Sequence, residues 1–208
     1  MHDIDTNKKL TVRFKGDISI ENKKWNVGVI FGASGTGKSQ IAKTVFPDNY
    51  VLSYEYDHKK SILDNFAQSC SIEQIVRVLT QVGFSSPVSW LKPYHVLSEG
   101  EKMRVNLASA LLDEDNLIVF DEYTSVVNRE VAKIGSFAVQ KAVRRTNKQF
   151  VAVTCHEDVI EWLEPDWVFN TNLMKFFFVT ENTEDHQLNL RSVEEVKVTG
   201  DCLVSITI

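Results

Sequence analysis

The sequence predicts an α/β domain built round a mainly parallel central sheet, and three observations lead there. Leu117-Ile-Val-Phe120 and Phe150-Val-Ala-Val-Thr154 are continuous apolar runs, the form taken by strands buried on both faces. Between them, Glu130 to Arg145 reads as one long helix. Upstream, the short apolar run Asn26-Val-Gly-Val-Ile-Phe31 passes directly into a Gly-rich loop. Strand, helix and strand in alternation make a parallel sheet with helices packed on it.

The remaining elements follow in order. Leu10 to Ile20 reads as two short strands around a Lys15-Gly16-Asp17 turn, since glycine between alternating residues signals a hairpin. Gln40 to Phe46 has helical character and stops at Pro47. Tyr50 to Tyr54 is a strand. Ile72, Ile75, Val76, Leu79 and Val82 recur at the spacing of one helix face. Ser98 opens another helix that continues through Leu112. From Lys175 to Ile208 the pattern is strand-like, ending in a hairpin around Gly200-Asp201. These are expected to be antiparallel edge strands, so residues 1–208 form one domain with its core at about 10–170 and edge strands over 171–208.

Composition narrows the function classes. With 43% hydrophobic and 25% charged residues, the chain resembles an ordinary globular protein. The net charge of −5 does not favour nucleic-acid binding by bulk charge, although Arg129, Lys133, Lys141, Arg144, Arg145 and Lys148 gather on and just after one helix. Cys70, Cys155 and Cys202 are widely spaced and suggest neither a disulfide framework nor a metal site. No apolar run approaches the roughly 20 residues that cross a bilayer, and the start carries no secretion signal. A cytoplasmic protein without direct membrane insertion is expected.

The chemistry concentrates in three places. Gly32-Ala33-Ser34-Gly35-Thr36-Gly37-Lys38-Ser39 fits G-x-x-x-x-G-K-[ST] between a strand and a helix. The glycines let successive N–H groups face a phosphate chain, and the helix N-terminus adds to that field. Lys38 would reach the outer phosphates and the Ser39 hydroxyl would ligate Mg²⁺. Leu117-Ile-Val-Phe-Asp121-Glu122 ends a buried strand in two acids, placing Asp121 as a Mg²⁺ ligand and Glu122 as the group that activates water. In Leu97-Ser-Glu-Gly-Glu-Lys-Met-Arg104, Ser98 and Glu101 make a capping box. The Ser98 hydroxyl and Gly100 N–H at that helix tip are also suited to phosphate, and would serve a second nucleotide.

With these motifs in this order, the sequence resembles the ABC ATPase superfamily of P-loop proteins from about residue 10 to 170. Gly32 to Ser39 is similar to its Walker A, Leu97 to Glu101 to its signature, and Leu117 to Glu122 to its Walker B. Ser125-Val-Val-Asn128 sits where the family has its D-loop, and His156 where it has its switch histidine. Phe14, or alternatively Trp25, is the candidate for stacking on adenine. The resemblance implies ATP and Mg²⁺ as cofactors. It further implies a homodimer formed on ATP binding, with Ser98 and Gly100 acting on the partner's nucleotide while Glu122, His156 and Lys38 act at the γ-phosphate.

Departures from the family pattern bear on the task performed. Lys38 and Ser98 lie close in sequence, implying a reduced helical subdomain. No Q-loop glutamine follows the Tyr50 strand, where Glu55-Tyr-Asp-His-Lys-Lys60 stands, with Asp57 as a substitute contact or a solvated loop residue. Glu99 and Glu101 replace the usual Gly and Gln, and Asn128 the usual Asp. The runs Asp121 to Arg129 and Cys155 to Trp162 are most similar to prokaryotic and phage ABC-type ATPases often fused to an acetyltransferase domain. The expected function is thus a soluble Mg²⁺-dependent ATPase that drives or gates an unidentified protein partner or a nucleic acid. The alternatives are a nucleic-acid maintenance or defence ATPase related to SMC-like proteins, the ATP-binding subunit of a membrane transporter, and a switch that binds ATP without appreciable hydrolysis.

Overall fold

The computed structural model describes residues 11–15, 20, 23–66, 70–146, 148–179, 193–195 and 203–207, of which 11–15, 193–195 and 203–207 are described as backbone. Its elements in chain order are β1 (Thr11–Lys15), β2 (Val27–Phe31), α1 (Lys38–Val45), β3 (Tyr50–Val51), α2 (Ile62–Asn65) and α3 (Ile72–Gln81). Next come α4 (Pro87–Trp90), a 3-10 turn at Tyr94–Val96, α5 (Glu99–Leu112), β4 (Leu117–Phe120), α6 (Arg129–Arg144) and β5 (Gln149–Thr154). The chain closes with α7 (Asp158–Leu163), β6 (Trp167–Asn170), β7 (Lys175–Val179), β8 (Val193–Glu195) and β9 (Leu203–Thr207).

The main sheet runs β3-β4-β5-β2-β6-β7-β8. Its strands are parallel from β3 to β6, and β7 and β8 extend it antiparallel. The apolar runs are buried on both faces, as their lack of alternating polarity requires. Val27, Val29, Phe120, Phe150, Ala152 and Val168 face a layer contributed by α3, α5, α6 and α7. Ile30, Val119, Val151, Val153, Trp167 and Phe169 face the other way, with Ile41 and Ala42 of α1. Gly28 matters here: a Cβ on it would lie 2.1 Å from the Trp167 ring, so the missing side chain is what admits the indole over β2.

Several expectations change. The strand from Tyr50 ends at Val51, because its sole parallel partner β4 turns away at Asp121, whose N–H makes the last bond, to Val51 O at 2.9 Å. Ile72 projects into solvent at 71% exposure, so the inner face of α3 rests on Ile75 and Leu79. Described ladders join β1 to β9 and β7 to β8, so the last two strands enter different sheets instead of forming a hairpin with each other. The expected turn at 15–17 lies largely outside the described residues.

Candidate functional site

The parallel register fixes one working edge. Phe31 at the end of β2 pairs with Thr154 of β5 and with Asn170 of β6, while Phe120 of β4 pairs with Ala152. The loops after β2, β4 and β5 therefore leave the same carboxyl edge of the sheet, where α/β folds bind their ligands. Residues 32–37, 121–125 and 155–157 belong to those loops, and Lys38 and Ser39 open α1 directly after the first of them.

The loop after β2 is shaped by its glycines. Gly35 and Gly37 have φ of 80° and 83°, the left-handed region that side chains disfavour. Gly37 is the N-cap of α1 and supplies no side chain to cap it, and no acid lies in that helix's first turn. The uncapped N–H groups at this end are suited to an anion. Lys38 Nζ donates to Ala33 O at 2.8 Å, and Thr36 Oγ1 to the same carbonyl at 2.8 Å. The turn after β6 braces the loop from outside. Thr171 Oγ1 lies 2.6 Å from Thr36 Oγ1, and Ala33 N–H donates to Asn172 Oδ1 at 3.0 Å.

On the next loop, Asp121 is 4% exposed. A carboxylate buried so deeply needs donors, and it has two. Glu122 N–H donates to Oδ1 at 2.8 Å, and the Tyr50 hydroxyl makes a short hydrogen bond to Oδ2. Burial, and then the hydrogen bond to Asp121, push the Tyr50 phenol above its ordinary range. The phenol thus remains protonated at neutral pH and donates to Asp121.

Glu122 follows with φ 52°, an unfavourable conformation for a residue with a side chain. Its neighbours impose it. Asp121 is fixed as described, and Tyr123 is 1% exposed with its hydroxyl 3.1 Å from Ser136 Oγ. Between two anchored residues, Glu122 is turned outward and exposed. Thr154 Oγ1 donates to Tyr123 O at 3.0 Å and accepts from His156 N–H at 3.1 Å. One threonine therefore ties the histidine turn to the acid turn.

The helix tip at Ser98 is exposed. Its capping box is complete: Glu101 N–H donates to Ser98 Oγ, and Ser98 N–H donates to Glu101 Oε2 at 2.9 Å. Ser89 Oγ donates to Glu101 Oε1 at 2.8 Å. The Ser98 backbone bond, helped by the two serine hydroxyls, holds the Glu101 carboxyl below its usual range. The acid is thereby folded onto its own helix start, while Glu99 pairs with Lys102 at 2.7 Å. Gly100 lets α6 approach, since a Cβ there would lie 3.1 Å from Val131 Cγ1.

Other sequence candidates have different surroundings. Trp25 is 6% exposed and packs edge-on against Trp167, so it is a core residue without a free face for a base. Phe14 lies on β1 opposite Val204, and its side chain is outside the described residues. Asp57 closes a local turn, accepting from Lys59 N–H at 2.9 Å, and is exposed. Asn128 caps α6, accepting from Val131 N–H at 2.9 Å. Half of the basic group is engaged locally. Arg129 binds Asp158, Arg144 binds Asp166 at 2.9 Å, and Lys148 Nζ donates to Asp115 O at 2.7 Å. Lys133, Lys141 and Arg145 are exposed.

Sequence reasoning missed Tyr50, Thr154, Thr171 and Asn172. It also missed how the segment after β3 is attached: Tyr56 stacks on Tyr94 with centroids 4.1 Å apart, and its hydroxyl donates to Asn106 Oδ1 at 2.9 Å. Chemically, the uncapped α1 terminus and glycine loop fit a polyphosphate. Ser39, at the start of α1, and Asp121, held by the Tyr50 phenol, are hard oxygen donors of the kind Mg²⁺ takes when phosphates complete its shell.

No protein-family model matches the chain. Among solved structures, it is similar to an ATP-binding cassette of an ABC transporter in its ADP conformation, with TM-score 0.54 and 15% identity over 70% of this chain and 76% of that one. A bacterial ABC transporter cassette solved as a dimer gives TM-score 0.58 and 16% identity, covering 76% and 91%. A bacterial Atm1-family ABC exporter with ATP bound gives 0.56 and 17%, covering 70% of this chain and 32% of that one. The fold is that of an ATP-binding cassette.

Proposed function

We propose that the chain is a Mg²⁺-dependent ATPase that closes into a homodimer around two ATP molecules and thereby drives or gates a partner. What carries this reading is the joint position of the glycine loop, Asp121 and the outward Glu122 on one sheet edge. The exposed, capped Ser98 tip stands ready to face another copy. Gly32 to Ser39 would hold the phosphates, with Lys38 released from Ala33 O to the outer ones. Ser39 and Asp121 would hold Mg²⁺, whose chemistry is to neutralise charge on the β- and γ-oxygens. Glu122 would activate water in line, His156 would support the γ-phosphate, and Ser98 with Gly100 would complete the partner's site.

The cassettes it resembles include one solved as a dimer and one with ATP bound, which supports this assignment. We read residues 1–208 as one ATPase unit acting in the cytoplasm. The second reading, the ATP-binding subunit of a membrane transporter, is favoured by three apolar side chains near the Ser98 tip. Val88, Leu91 and Val96 are 71%, 69% and 54% exposed. No helix among the described residues is long and apolar enough to cross a membrane, so a transporter role requires a separate membrane partner. A nucleic-acid partner must rely on Lys133, Lys141 and Arg145, because the other three cations of that group already have partners.

The test is Glu122→Gln, which removes the base while keeping the side chain's size. With ATP and Mg²⁺ the variant should elute and scatter light as a dimer, and revert to monomer with EDTA. A variant that stays monomeric at saturating ATP and Mg²⁺ rules the closed dimer out.

A further inference from the structure

Tyr50 touches the candidate metal ligand Asp121 and belongs to none of the sequence motifs. It begins β3, pairs with Val119 of β4, and its strand accepts the Asp121 N–H through Val51 O at 2.9 Å. Backbone and side chain of this two-residue strand therefore both hold Asp121. The phenol donates to Oδ2 of Asp121. The ring itself is held, with Lys43 Nζ 4.9 Å from its centroid. Of the two Asp121 oxygens, Oδ1 already takes the Glu122 N–H, so the phenol is the contact that sets the carboxylate's rotation.

We propose that Tyr50 is a positioning residue for Mg²⁺, its hydroxyl holding the Asp121 carboxylate in the orientation in which it accepts the ion beside Ser39. The proposal rests on the nucleotide reading above. Polar groups that orient metal ligands commonly change metal affinity by about 10–100-fold when removed, and Tyr50→Phe removes the hydroxyl alone. The ring, its place on β3 and its contact with Lys43 remain.

The experiment titrates Mn²⁺ into the full chain with a non-hydrolysable ATP analogue and counts free Mn²⁺ by electron paramagnetic resonance. Analogue affinity is measured separately in EDTA, and thermal unfolding without ligands checks the fold. The expected result is about tenfold weaker Mn²⁺ binding in Tyr50→Phe, with metal-free analogue affinity unchanged and a modest fall in unfolding temperature, since Asp121 keeps only the Glu122 N–H. In steady-state assays the Mg²⁺ concentration for half-activation should rise while kcat recovers at saturating Mg²⁺. Equal Mn²⁺ affinity in the two proteins overturns the proposal, and tighter binding in the variant also overturns it by making the phenol a competitor of the ion. If the variant proves unstable, Asp121→Asn and the double variant decide: additive losses of Mn²⁺ affinity refute action through Asp121. If the wild-type chain binds neither analogue nor Mn²⁺, the nucleotide reading itself has failed, an outcome distinct from all of these.

Discussion

Replacing Gly32 with alanine separates steric demand from backbone demand in the phosphate loop. Gly32 is not in the left-handed region, so alanine is compatible with its backbone. The obstacle is space: an added Cβ would lie 2.0 Å from Thr171 Oγ1, 3.1 Å from Thr36 Oγ1 and 3.3 Å from Asn172 Oδ1. Thr171 must turn away, giving up its 2.6 Å contact with Thr36 and its 3.2 Å bond to Phe31 O, and Asn172 loses its hold on Ala33 N–H. At about 1 kcal/mol for each hydrogen bond, the loss is about 3 kcal/mol. Restricting the unfolded chain returns about 0.4–1 kcal/mol. The net destabilisation of about 2–3 kcal/mol corresponds to a Tm lower by roughly 5–10 °C for a chain of this size. Gly35 is the contrast: its φ is 80° with nothing within 4 Å of an added Cβ, so Gly35→Ala incurs only the left-handed penalty of about 1–2 kcal/mol. Urea unfolding of Gly32→Ala, Thr171→Ala and the double variant measures the clash directly. Since Thr171→Ala removes the obstructing oxygen, the two changes should be less than additive by about 1–2 kcal/mol. Strict additivity, or a Gly32→Ala protein as stable as wild type, refutes the bracing role of the turn after β6.

Two further outcomes follow from the helix starts. Because Glu101 has a folded pKa below its unfolded value, it stabilises the fold above the ordinary carboxylate range, and that contribution disappears as pH falls through the folded value. The Tm difference between wild type and Glu101→Gln should thus shrink as pH is lowered from 7 to below about 4, and a constant difference contradicts the capping-box account. Asn128→Ala should cost about 1 kcal/mol in urea unfolding by uncapping α6, with Asn128→Asp retaining the cap. Equal losses in the two variants argue against capping.

The features legible in the sequence were those set by local physics. Continuous apolar runs gave β4 and β5 because a strand buried on both faces has no polar side to show. Ser98 and Glu101 could be paired in advance, since three residues of helix bring them together. The glycine octet likewise carries its shape within eight positions. What stayed hidden depends on contacts across the sheet. Thr171 reaches Thr36 from 135 positions away and Tyr50 reaches Asp121 from 71, and nothing near any of these residues marks the pairing. The same distance effect bears on the basic cluster. Arg129 and Arg144 look free along α6, but folding sets them against Asp158 and Asp166. Trp25 was ambiguous between base-stacking and core until Trp167 was seen beside it.

The placement of Tyr50 also explains why the metal edge and the Ser98 tip should not be treated as independent parts. Val51 leads into Leu52 to Asp57, a stretch without glycine, and Tyr54 and Tyr56 within it are partly buried. Tyr56 reaches Asn106 at 2.9 Å and Ser109 at 2.8 Å, both on α5, and stacks on Tyr94, whose own hydroxyl is 3.2 Å from Asn106. Four residues after Tyr94, Ser98 begins α5. A displacement of β3 at Asp121 must therefore either break this aromatic and hydrogen-bonded attachment or carry the start of α5 with it. The attachment involves one stacked pair, worth about 0.5–1.5 kcal/mol beyond its burial, and the two Tyr56 hydrogen bonds at about 1 kcal/mol each. Together these tie the segment after β3 to the start of α5 as one continuous piece. The Glu122→Gln dimer and the Tyr50→Phe metal titration consequently probe two ends of one connected segment.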